Sequence, residues 1–157
     1  MAPAWRGLVA AGLLAGAGRG LRAQNIQVTG IQGVTFGAML PGVSKVVSRA
    51  DALNGARFDI KGAGNSRTVE LQFTLPAALS GPGGATLPLS YTAADAGFSA
   101  QQSVGNQIGF DPRTPYTAVL SGPGRGSVFL GCRAAPAANQ AAGNYSATLT
   151  LTVTYLQ

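Results

Sequence analysis

Tyr145-Ser146-Ala147-Thr148-Leu149-Thr150-Leu151-Thr152-Val153-Thr154-Tyr155 decides the fold. Leu149, Leu151, Val153 and Tyr155 take every second position, and Thr148, Thr150, Thr152 and Thr154 fill the places between. A period of two is the spacing of side chains on a β-strand, and β-branched threonine suits a pleated, half-exposed surface. One face of this strand is expected in a core and the other in water. As a continuous strand the stretch would run about 36 Å, at about 3.3 Å per residue.

The same period recurs upstream. Val69, Leu71, Phe73 and Leu75 alternate with polar residues, as do Phe58 and Ile60, Leu87, Leu89 and Tyr91, and Ile26 and Val28. Between these runs stand turn-formers: Leu40-Pro41-Gly42, Gly62 to Asn65, Ser80 to Gly84, and Ser121 to Gly126. Glycine supplies positive φ and proline presets φ for turns. Short alternating strands with this punctuation predict an all-β, immunoglobulin-like antiparallel β-sandwich. A short helical turn is expected within Ala134 to Gly143, while Ala93 to Gln107 carries no clear pattern.

The N-terminus reads as a signal peptide. Arg6 precedes an apolar run from Gly7 to Gly18, and Leu21-Arg22-Ala23 ends in a small residue. The expectation is cleavage after Ala23, leaving one sandwich domain over 24–157. The alternative is an uncleaved N-terminal anchor. The apolar run falls short of the ~20 residues a membrane span takes, so no transmembrane segment is expected in the mature chain. Of eleven basic residues, Arg6, Arg19 and Arg22 leave with the signal, so eight remain against five acids, a net of +3 in place of +6. The eight are scattered, which gives no support to a nucleic-acid partner. The expected location is secreted, periplasmic or at the cell surface.

Catalytic chemistry finds few residues to use. The chain has no histidine, which removes the commonest general base and metal ligand. Its five acids, Asp51, Asp59, Glu70, Asp95 and Asp111, are well spread, and Cys132 is alone. Cys132 alternates with Val128 and Leu130 and is expected to be a small buried hydrophobe. No catalytic residue, metal site or cofactor is assigned, and the chain is read as non-enzymatic.

Several segments resemble a bacterial family of secreted domains of unknown function, similar to spore coat protein U and to chaperone–usher pilins. Val34-Thr35-Phe36-Gly37 with Leu40-Pro41-Gly42 looks like an opening strand, Phe-Gly and Pro-Gly turn. Phe73 to Pro76 and Gly81 to Gly84 look like the middle, and Gly126 to Gly131 leads through Ala138 to Tyr145 into the last strand. Gly143 stands twelve residues before Tyr155, a spacing pilins also show. The resemblance implies a pilin-like sandwich in the cell envelope. The chain departs from pilins in its single cysteine and in having only Gln24 and Asn25 between the expected cut and the first alternating run.

Two roles follow as expectations. The first is a structural or adhesive module that meets a protein partner, or a second copy, through β-edges or sheet faces. The expected edges are the first strand (Gln24 to Gly30, with Ile26 and Val28) and the last (Leu149, Leu151, Val153 and Tyr155). The second is a module that binds a surface polymer such as polysaccharide through the stiff loop Phe110-Asp111-Pro112-Arg113-Thr114-Pro115-Tyr116, with Phe110, Asp111, Arg113 and Tyr116 as candidates. The same loop has a structural reading, in which its aromatics pack on the sheet.

Overall fold

A computed structural model describes residues 25–157. The signal segment expected over 1–23 lies outside the described residues. Among the described residues twelve strands follow in order: β1 (Gln27–Gln32), β2 (Lys45–Val47), β3 (Ala56–Lys61), β4 (Thr68–Thr74), β5 (Ala78–Ser80), β6 (Thr86–Ser90), β7 (Ala96–Ser99), β8 (Ile108–Phe110), β9 (Tyr116–Val119), β10 (Arg125–Leu130), β11 (Cys132–Ala134) and β12 (Thr150–Tyr155). All their pairings are antiparallel. The fold is a β-sandwich, as the period-two reading predicts.

A five-stranded sheet runs β1-β3-β10-β7-β8, a three-stranded sheet β12-β4-β9, and a four-stranded sheet β2-β11-β6-β5. The main core fills the space between the first two. Ile60, Phe98, Val128 and Leu130 come from the larger sheet and Val69, Leu71, Leu151 and Val153 from the smaller, all buried. Along β4 and β12 these residues alternate with polar neighbours, so each of those strands gives one face to this core.

The four-stranded sheet builds a second, smaller core of Val47, Leu87, Cys132 and Ala134 with Phe36. One chain segment joins the two cores. After Leu130, β10 passes through Gly131 and continues as β11 in the other sheet. A Cβ at Gly131 would lie 2.2 Å from the Val47 carbonyl oxygen and 2.6 Å from the Arg49 nitrogen. Only glycine allows the backbones to approach this closely where the chain changes sheets.

Two expectations need correction. Ala134 to Gly143 forms no helix. It holds a turn closed by the Gln140 N–H donating to the Ala137 carbonyl at 3.1 Å, with Pro136 ahead of it. The last strand begins at Thr150, not Tyr145, because its partner runs out. Thr150 faces Thr74 at the end of the β4 ladder, and Pro76, which has no N–H to donate, follows close behind as the chain turns into β5.

Candidate functional site: an apolar groove between two segments without a ladder

Two stretches with strand-like sequence form no strand, the second touching a sheet only through an isolated bridge from Ser146 to Ser80. The first is 33–44, which follows β1, and the second is 135–149, which leads into β12. Within the second, Tyr145, Ala147 and Leu149 are half-buried, and Ser146 and Thr148 are exposed. Within the first, Val34 is half-buried and Phe36 buried, with Thr35 and Gly37 exposed. Each segment therefore keeps the alternating burial of a strand without the backbone ladder that normally accompanies it.

The four-stranded sheet holds both segments at its opposite edges. At the β2 edge, the Lys45 ammonium donates to the Phe36 carbonyl. At the β5 edge, Ser80 and Ser146 exchange backbone hydrogen bonds of 2.8 and 3.0 Å. One further bond, from the Gly42 N–H to the Ala137 carbonyl at 3.0 Å, ties the two segments together. The face between them is a groove of about 1240 Å³. Val34, Phe36, Met39 and Leu40 line it from the first segment and Tyr145, Ala147 and Leu149 from the second, while Leu79, Leu87, Leu89, Tyr91 and Cys132 come from the sheet side. It exceeds the ~300–1,000 Å³ usual for small-molecule pockets.

Two ionisable side chains of the groove wall are held in their protonated forms. Burial, with a smaller contribution from Asp95, pushes the Cys132 thiol up to about 12. Burial likewise raises Tyr91, whose hydroxyl donates to the Pro76 carbonyl at 3.0 Å. A protonated thiol and a committed phenol offer neither nucleophile nor base. What the groove does offer is apolar side chains and a rim of backbone outside any ladder, which is what an added strand needs.

The sequence-predicted edge residues fall partly here. β1 and β12 do lie at sheet edges. The side chains of Ile26, Val28, Leu149, Leu151, Val153 and Tyr155, however, pack against the main core. Along β12 it is the backbone that faces outward. The Tyr155 hydroxyl accepts the Ala63 N–H at 3.1 Å and so pins the β3–β4 turn. Leu149 alone of these six lines the groove.

The loop from Phe110 to Tyr116 is built differently. Phe110 and Tyr116 stack on each other with ring centres 4.2 Å apart at 9°, and Phe110 stacks in turn on Phe73 at 6.4 Å. Phe110 belongs to the main core, and Tyr116 packs against it. The Arg113 guanidinium forks onto Asp111 at 2.9 and 2.8 Å, and these hydrogen bonds hold the Asp111 carboxyl down at about 2. The loop's aromatic faces are turned to the protein interior and its two charges to each other.

Sequence reasoning does not single out Phe36, Met39, Leu79, Leu87 or Leu89 as groove residues. A signal was present in Pro76, which ends the partner of the last strand five residues short of that strand's alternating pattern. The chain matches no protein-family model and no curated protein.

Proposed function

We propose that the protein is a secreted, non-catalytic structural or adhesive module of the cell envelope. It works by accepting an extended segment of a protein partner, or of a second copy, into the groove between Val34–Leu40 and Tyr145–Leu149. The observation that carries this reading is the alternating burial of both segments in the absence of a ladder. A strand laid between them would find backbone groups on either side and Leu79, Leu87 and Leu89 beneath its apolar side chains. Its main-chain bonds would supply affinity and alternate pockets would supply specificity. The similarity of Phe36-Gly37, Pro41-Gly42 and the Gly143–Tyr155 spacing to pilin and spore coat protein U domains supports the same reading.

Sedimentation velocity across protein concentration, joined to amide hydrogen exchange, tests the proposal. Association, or addition of a peptide of alternating apolar residues, is expected to slow exchange at 34–40 and 145–149 above all. A protein that stays monomeric and whose two segments gain no protection from any alternating peptide would overturn it.

A further inference from the structure

On the outer face of the five-stranded sheet, Lys61 of β3 stands directly opposite Arg125 of β10, and Gln27 of β1 stands opposite Lys61 on its other side. Two like charges in direct cross-strand register repel, and sheets normally avoid the arrangement. Neither cation forms a salt bridge among the described residues. The acid beside them is already engaged: Asp59 accepts the Arg57 guanidinium at 2.9 and 3.1 Å and the Ser127 hydroxyl at 2.6 Å. Arg57, Lys61 and Arg125 against Asp59 leave the patch two positive charges in excess.

The patch is also shaped. It forms a depression of about 310 Å³, and Gln102 reaches it from the loop after β7. Gln102 holds φ 53, a left-handed conformation uncommon outside glycine, asparagine and aspartate. The loop is fixed there because the Ser99 hydroxyl oxygen accepts the N–H groups of Gln101 and Ser103, each at 3.3 Å. The lining thus brings together an ammonium, a guanidinium fork and two carboxamides able to donate hydrogen bonds, beside the Thr29 hydroxyl, the already engaged Asp59 carboxylate and the apolar Ile31 and Ile60.

We propose that this depression binds a tetrahedral oxyanion, phosphate or sulfate, with Lys61 and Arg125 as its charged donors and Gln27 and Gln102 as neutral ones. A doubly charged anion matches the excess charge and turns the Lys61–Arg125 repulsion into shared attraction. The site is separate from the groove and does not depend on it.

The test is an amide chemical-shift titration of ¹⁵N-labelled protein with sodium sulfate, against sodium chloride at matched ionic strength. Sulfate is expected to move Gln27, Lys61, Gln102 and Arg125 along one saturable curve that chloride does not reproduce. Lys61→Gln and Arg125→Gln should each weaken that curve about tenfold, the loss of one charge-assisted hydrogen bond, while Arg133→Gln leaves it unchanged. A parallel titration with dextran sulfate separates two sources. Tighter binding than inorganic sulfate upholds the site for a group carried on an acidic polymer, and equal binding upholds it for the free ion. Shifts spread evenly over all the cations, or variants that bind as the parent does, would overturn the proposal. The mapping on unsubstituted protein decides even if a variant fails to fold.

Discussion

The Tyr145 ring lies so close to Gly81 that a Cβ there would stand 2.3 Å from its Cε1. The Tyr145 hydroxyl accepts from the Gln140 amide at 2.7 Å and donates to the Ala141 carbonyl at 2.7 Å. One side chain thus ties the turn after β5 to the chain entering the groove wall. Gly81→Ala must push the ring out, and Tyr145→Phe removes both hydrogen bonds at a cost of about 1 kcal/mol. Both are expected to speed amide exchange at 141–149 more than in the main core. Uniform acceleration throughout the chain would show that the wall has no separate stability.

Gly131→Ala should be far more damaging. The added Cβ meets backbone atoms, the Val47 oxygen and the Arg49 nitrogen, and neither can swing aside as a flexible side chain would. Overpacking of this kind costs about 3 kcal/mol or more. Urea unfolding should show a large fall in midpoint. A change within about 0.5 kcal/mol would mean that the β10–β11 corner has slack.

These two glycines mark how much of the molecule the sequence disclosed. Alternation found the strands that face the main core, because a strand with one wet face writes its geometry into every second residue. β2, β5 and β11 are three residues each, too short for a period to register. β7 is buried on both faces, and Gly97 leaves room there for the Arg49 guanidinium, so its pattern is not alternating. The groove was legible only in half. The pattern from Tyr145 to Tyr155 announces a full strand, but pairing depends on where the partner chain turns, a long-range fact that local residues do not carry. Lys61 and Arg125 lie far apart in sequence and meet only through register.

Cys132 makes stability depend on alkaline pH. The unfolded thiol ionises near its ordinary value of 9.0, whereas burial holds the folded thiol at about 12. A pKa raised by folding gives stability that is whole below the lower value and is lost as pH climbs toward the upper one. The urea midpoint should therefore decline between about pH 9 and pH 12. Tyr91 is shifted in the same direction and adds to the loss. Cys132→Ala should flatten part of the decline. A midpoint equally steep in that variant would assign the whole effect to Tyr91 and other groups.

Phe110→Ala separates packing from recognition in the loop between β8 and β9. The ring is buried and sandwiched between Phe73 and Tyr116. Its loss should cost about 3–5 kcal/mol, the usual range for deleting a core aromatic. Arg113→Gln, at the exposed end of the Asp111 pair, should leave stability nearly unchanged, because solvent screens an exposed ion pair. Thermal unfolding of both variants checks the contrast. A tolerated Phe110→Ala would move this loop back among the binding surfaces.

Leu40 offers the cleanest separation of fold from association. It lines the groove and is 71% exposed, so the isolated protein gains little from it. Leu40→Lys should leave the thermal midpoint nearly unchanged, since a largely exposed side chain seldom moves stability by more than about 0.5 kcal/mol. An inserted strand, by contrast, would bury that leucine, and a lysine would place a charge at the rim of an apolar contact. Sedimentation velocity and peptide titration should show weakened association with the fold intact. Unaltered association would place the contact elsewhere, at the outer edge of β1 or β12, where main-chain groups and not the groove side chains meet the partner.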